Sequence, residues 1–111
     1  MSSVNDVQGV LALSPVVFDV RTDAEWAGGH LADAVLVPLK LPPFDVGDIR
    51  SFAETLAATI TPLPRDAPVA VYCKKGVRSA IAARLLRALG MTQVYDLGGT
   101  KEGPLSEYLK R

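Results

Sequence analysis

The run Cys73-Lys74-Lys75-Gly76-Val77-Arg78-Ser79 sets the chain's one cysteine among three cations and a glycine. Before it, Val69-Ala70-Val71-Tyr72 reads as a strand buried on both faces. After it, Ile81, Ala82, Leu85, Leu86 and Leu89 share one face of a helix, with Arg84 and Arg87 on the other. Cys73 therefore closes a strand, and a short turn carries the chain into a helix that starts near Ser79. Such a turn aims successive backbone N–H groups inward, at the positive end of the helix. Lys74, Lys75 and Arg78 add positive charge locally, although 12 basic and 12 acidic residues leave the whole chain with no net charge. Each effect favours a thiolate over a thiol, and the thiolate is the nucleophile. Gly76, in mid-loop, permits a positive φ and close approach of an anion to the backbone. The loop thus reads as a holder for a nucleophilic sulfur with an anionic substrate or charged intermediate beside it. The competing reading is a cysteine that merely packs, and the flanking cations weigh against it.

His30 is the one histidine. It follows Gly28-Gly29 and precedes apolar Leu31, where a ring satisfied by local backbone bonds is the simpler expectation than a general base. A sulfur ionised by the dipoles of its own loop needs no base. That suits attack on a pre-activated leaving group and argues against amide hydrolysis.

The elements that must position this loop alternate between strand and helix. A weak helix around Val7, Val10 and Leu11 precedes Pro15. Val16-Val17-Phe18-Asp19-Val20 is a strand. Thr22-Asp23-Ala24-Glu25 has the form of a capping box opening a short helix through Trp26, which Gly28-Gly29 should end. Ala34 to Val37 is a second short strand. Residues 38–47, with three prolines, read as an irregular loop, and from Asp48 a helix follows Ile49, Phe52, Ala53, Leu56 and Ile60. Val69 to Tyr72 is the expected centre of the sheet. Gly90 should stop the helix after the cysteine loop. Gln93 to Asp96 is a last strand, Gly98-Gly99 a turn, and Leu105 to Leu109 a terminal helical stretch. The alternation predicts an α/β domain: a mainly parallel central sheet with helices on both faces, and sites at the carboxyl ends of strands.

A chain of 111 residues is one domain's worth, and 49% hydrophobic against 22% charged residues fits a packed core rather than disorder. Zero net charge gives no global attraction to nucleic acid or to an anionic membrane. One cysteine excludes an internal disulfide framework and a multi-cysteine zinc site, and one histidine makes a His-rich metal site unexpected. No cofactor is expected. No apolar run approaches the roughly 20 residues of a membrane span. Met1 to Asp6 has neither a basic start nor a long apolar run, so a cytoplasmic, reducing setting with a free thiol is expected.

Several motifs together carry a family resemblance. Phe18-Asp19-Val20-Arg21, then Glu25-Trp26, Gly29-His30-Leu31, Ala34 and Pro38, resemble the first signature of the rhodanese family. Cys73 to Ser79, followed by Ala80 and Ala83, resembles its active-site loop, and Leu97-Gly98-Gly99 its third signature. The resemblance spans residues 16–99 and implies one rhodanese-like domain over 1–111, a three-layer sandwich. It implies a thiosulfate sulfurtransferase. Cys73 would take the outer sulfur of thiosulfate as a persulfide, release sulfite, and pass the sulfur to cyanide or another thiophilic acceptor such as a thiol. Lys74, Lys75, Gly76, Val77, Arg78 and Ser79 would form the substrate-binding cradle. Asp19, Arg21, Glu25 and His30 carry over as structural positions. The chain departs from the usual pattern at Asp33, where a glycine is common, and at Leu36, where an asparagine is. Thr100 and Gly103 also depart, standing near places that the family commonly fills with an apolar residue and a tryptophan.

Two alternatives remain open at this point. A sulfur-relay or interaction module would use a protein as sulfur donor or acceptor; exposed apolar residues among Leu39, Leu41, Pro42, Pro43 and Phe44 would favour it, although core cover is the simpler expectation for them. A Cdc25-type phosphatase would need five residues between cysteine and arginine, where this chain has four, Lys74 to Val77.

Overall fold

Four strands make the central sheet: β1 (Val16–Asp19), β3 (Val35–Leu36), β4 (Val69–Cys73) and β5 (Val94–Gly99), in the order β3-β1-β4-β5, all parallel. This computed structural model describes residues 6–101 and 104–110. Every residue of β4 is buried, as a strand between two neighbours and under two covered faces must be. Side chains alternate across it. Val69, Val71 and Cys73 join Phe18 and Val20 on one face, while Ala70 and Tyr72 join Val17 and Leu97 on the other.

Helix α3 (Val46–Ile60) crosses from β3 to β4, and α4 (Val77–Ala88) crosses from β4 to β5. Both cover the Val71 face, through Phe52, Leu56 and Ile60 and through Ala82, Ala83 and Leu86. The opposite face is covered by α1 (Val7–Leu11) and by a 3₁₀ turn, Pro104–Tyr108, whose Leu105 is fully buried. The α/β sandwich with a mainly parallel sheet is therefore the observed architecture. Its carboxyl edge brings together Asp19, Cys73 and Gly99, the ends of β1, β4 and β5.

Several boundaries differ from the sequence expectation. The second short strand shrinks to Val35–Leu36. Helix α3 starts at Val46 rather than Asp48, because Asp45 caps it and Asp48 returns a bond to the Asp45 amide, a capping box made of two aspartates. Helix α4 starts at Val77 rather than near Ser79, with Gly76 at φ 96° as its N-cap. Gly98-Gly99 is no turn. β5 shifts register against β4 between Val71 and Cys73, Gly98 takes φ 82° there, and Gly99 still pairs with Cys73. The terminal helical stretch is the 3₁₀ turn followed by β6 (Leu109–Lys110), which pairs antiparallel with β2 (His30–Leu31). Asp33, where glycine was the familiar residue, sits at φ 64°, a left-handed conformation that aspartate tolerates better than most residues. Gly103 and Met1 to Asn5 lie outside the described residues.

Candidate active site

The loop from Cys73 to Ser79 is organised by the end of a helix. Gly76 is the N-cap of α4 and has no side chain with which to cap it. The first N–H groups of a helix have no partner within it and need one from outside. The sulfur supplies it. Gly76 donates its N–H to Cys73 Sγ at 2.9 Å, and Ser79 donates its N–H to the same atom at 3.3 Å. Cys73 therefore does for α4 what Ser or Asp usually does for a helix. The sulfur faces the positive end of α4. Ser79 Oγ lies 3.5 Å from Sγ and donates to the Gly76 carbonyl at 3.1 Å, which fixes the hydroxyl beside the sulfur.

Arg78 and Glu25 close one side of the loop. Glu25 sits in α2 (Asp23–Ala27), where it completes the capping box with Thr22. The same carboxylate receives Arg78 Nη1 at 2.7 Å and Nη2 at 3.0 Å, a two-pronged pair across 53 residues of sequence. Arg78 is 4% exposed and also donates to the Leu39 carbonyl at 3.4 Å. The hydrogen bonds from Arg78 are the main cause holding Glu25 far below its usual 4.5, at about 2, with Thr22 adding to them.

Because this carboxyl titrates lower in the folded protein, its stabilisation is full above about pH 4.5 and is lost as pH falls towards 2. Urea unfolding between pH 6 and pH 2 should therefore show the wild type losing about 2 kcal/mol more than Glu25→Gln over that window. Parallel pH profiles for the two proteins would overturn this assignment.

Beneath α2 lies a buried polar knot. Tyr72 donates its hydroxyl to Asp19 Oδ2 at 2.6 Å and accepts the Leu31 N–H at 3.0 Å. Burial, and next the bond to Asp19, push the Tyr72 hydroxyl above its ordinary range. Arg21 binds both oxygens of Asp19, at 3.0 Å through Nε and 2.7 Å through Nη2, and reaches the Gly29 carbonyl at 2.6 Å. Its guanidinium lies 5.4 Å from the centre of the Tyr72 ring. The knot ties residues 29–31 to the sheet and so fixes where α2, and with it Glu25, stands. His30 stacks on Trp26, with ring centres 3.5 Å apart, and its Nδ1 lies 3.0 Å from the Trp26 carbonyl oxygen.

The end of β5 supports the loop from the other side. Thr100 N–H donates to the Cys73 carbonyl and Lys101 N–H to the Lys74 carbonyl, both at 2.9 Å. Gly99 lies so close that a Cβ there would meet Lys74 C at 2.8 Å and Lys75 Cα at 2.9 Å, with the Lys74 carbonyl oxygen nearer still.

Above the sulfur is a cleft of about 370 Å³, lined by Glu25, Leu41, Pro42, Cys73, Lys74, Lys75, Val77 and Arg78. Of the residues the sequence singled out, Cys73, Lys74, Lys75, Val77 and Arg78 thus meet at the cleft, while Gly76 and Ser79 act on the sulfur through their amides. Lys74 and Lys75 are exposed, whereas Arg78 turns its charge to Glu25. Leu39 is buried and Phe44 packs on the core, while Leu41, Pro42 and Pro43 are exposed. Leu41 and Pro42 as cleft walls, and Glu25 as the partner of Arg78, were not legible as site residues. Among the described residues, no group of three His, Cys, Asp or Glu side chains could hold a metal ion, and no helix is long and apolar enough to cross a membrane.

Comparison with known proteins agrees with this geometry. Residues 4–103 match the family model described as "Rhodanese-like domain". The tRNA uridine(34) hydroxylase of Protochlamydia amoebophila is 31% identical over 86 residues, covering 77% of this chain and 25% of that protein. The uncharacterized protein YqhL of Bacillus subtilis is 35% identical over 83 residues, 75% of this chain and 55% of that one. This chain thus spans a quarter to about half the length of these curated relatives. Among solved structures, SSP1007 from Staphylococcus saprophyticus is 25% identical at a TM-score of 0.65, with both chains fully covered. A structure of "rhodanese with anions" from E. coli is 26% identical at 0.61, covering 81% of this chain and 94% of that one. A parallel α/β sandwich, a sulfur capping the helix that follows its own strand, and a family match over most of the sequence lead to one conclusion: the chain belongs to the rhodanese-like domain family.

Proposed function

We propose that this protein is a thiosulfate sulfurtransferase with Cys73 as its nucleophile. One observation carries the reading: Sγ takes the N–H groups of Gly76 and Ser79 at the floor of a cleft flanked by Lys74 and Lys75. The lysines draw in the dianion. The Sγ thiolate attacks the outer sulfur of thiosulfate, the S–S bond breaks, and its electron pair leaves with sulfite. The charge moves onto the transferred sulfur of Cys73–S–S⁻, beside the same amides. Cyanide then attacks that outer sulfur, thiocyanate departs, and the pair returns to Sγ, where the helix end stabilises it again. That a related E. coli rhodanese is described with anions fits an anionic donor.

The phosphatase alternative is disfavoured by Arg78. A phosphate in the cradle would need that guanidinium, and here it is spent on Glu25. The relay alternative keeps the same chemistry with a protein persulfide as donor, and the exposure of Leu41, Pro42 and Pro43 beside the cleft favours it as a second reading. The longer relatives named tRNA uridine(34) hydroxylase share this domain, but we assign it no nucleic-acid substrate, since the net charge is zero. We place the reaction in the reducing cytoplasm, where a free thiol persists. The test is incubation of the reduced protein with thiosulfate and measurement of its intact mass. A gain of one sulfur atom, lost on adding cyanide with release of thiocyanate, is expected. A protein whose mass does not change refutes the reading.

A further inference from the structure

Arg78 is the second residue of α4, and it lines the cleft over Cys73 while almost wholly buried. A guanidinium beside the N–H groups of a helix's first turn is an ordinary means of gripping phosphate or sulfate, through two parallel N–H···O bonds. Here both prongs are taken. Nη1 meets Glu25 Oε1 at 2.7 Å, and Nη2 meets Oε2 at 3.0 Å. The carboxylate is not free to swing aside, because Thr22 donates its N–H to the same Oε1 at 2.9 Å and its hydroxyl at 3.0 Å. Nor is it neutral at neutral pH, since the bonds from Arg78, with Thr22 adding to them, hold it at about 2. The positive charge left over is that of Lys74 and Lys75, exposed and without an ion pair among the described residues. Water and salt screen such charges, so they attract an anion without gripping it.

That division suits sulfur transfer. Thiosulfate differs from sulfate only by a sulfur in place of one oxygen, and phosphate has the same tetrahedral shape. A site that gripped the oxygens would fill with either anion and would hold back the sulfite that it must release. We propose that Glu25 is a specificity-determining residue: by occupying Arg78 it denies oxyanions a grip over Cys73, so that thiosulfate is selected by its outer sulfur and not by its oxygens. Glu25 touches no reacting atom and acts through Arg78. The proposal rests on the sulfurtransferase reading and adds to it what the cleft rejects.

Glu25→Gln keeps the length of the side chain and an oxygen for the Thr22 N–H, but leaves the guanidinium's charge uncompensated. Thiosulfate:cyanide turnover is measured at constant ionic strength with rising inorganic phosphate. The inhibition constant of phosphate should be about tenfold lower in the variant than in wild type, the scale of one charge-assisted hydrogen bond gained. A merely loosened fold would not tighten that binding. Glu25→Asp keeps the charge and should resist phosphate as wild type does. Phosphate should also raise the Tm of Glu25→Gln more than that of wild type, a readout that needs no turnover. Equal inhibition constants, or equal Tm shifts, in wild type and Glu25→Gln would overturn the proposal. So would a Glu25→Asp that binds phosphate as tightly as Glu25→Gln. If wild type turns over no thiosulfate, the sulfurtransferase reading fails by itself, and the Tm shifts still decide whether Glu25 excludes the anion.

Discussion

Serine at position 73 is expected to abolish sulfur transfer while leaving the fold standing. The hydroxyl can accept the same N–H groups from Gly76 and Ser79, so α4 keeps its cap. What it cannot do is attack. A serine needs a base, and the cleft holds none. Glu25 is engaged by Arg78, and His30 stacks on Trp26 and lies outside the cleft lining. No second cysteine exists to take over. Thiosulfate:cyanide turnover should fall by about a thousandfold or more, as loss of a nucleophile does elsewhere. Cys73→Ala should be equally inactive but less stable than Cys73→Ser by about 1 kcal/mol, because alanine also removes the cap. Thiocyanate release and thermal unfolding separate the two effects. Appreciable turnover by the serine variant would sink the persulfide mechanism. Equal stability of the two variants would refute the capping role of the sulfur.

What the sequence made legible was local. Thr22 and Glu25, three residues apart, have the capping-box form, and the box is present. The apolar runs at Val16 and Val69 became adjacent parallel strands, with Phe18 opposite Val71. Gly76 in a short turn permitted a positive φ, and it takes one. What escaped reading depends on long-range encounters. Nothing near Glu25 shows that its carboxylate meets Arg78, since the pair exists only once α2 and α4 have docked. β2 and β6 are two residues each, too short to show any alternation, and form only because the chain's end returns beside His30. Gly98-Gly99 carries the ordinary mark of a turn. Whether such a pair turns the chain or bulges a strand is decided by the neighbour, here β4, which keeps pairing as far as Gly99.

That neighbour also makes Gly99 the position where one methyl group should do most damage away from the sulfur. An alanine Cβ would overlap the Lys74 carbonyl and the Lys75 Cα, both backbone, so no side-chain rotation relieves it. Either β5 withdraws, straining the bonds from Thr100 and Lys101 to the Cys73 and Lys74 carbonyls, or the cysteine loop moves. Overpacking of this kind costs about 1–3 kcal/mol. The loop has fewer anchors than the sheet, so the displacement should fall on Lys74 to Gly76 and move the Gly76 N–H off Sγ. Misplacement of about 1 Å in a catalytic group can cost roughly a hundredfold, and sulfur transfer by Gly99→Ala should fall by about that factor. Gly76→Ala is the instructive contrast. A Cβ at Gly76 meets nothing within 4 Å, so only its φ of 96° resists substitution. That variant should lose stability by about 1–2 kcal/mol through backbone strain and keep more of its activity than Gly99→Ala. Urea unfolding and thiosulfate:cyanide turnover on both variants decide it. If Gly99→Ala retains wild-type turnover, the loop does not depend on β5 for its position, and the amides around Cys73 are held by α4 alone.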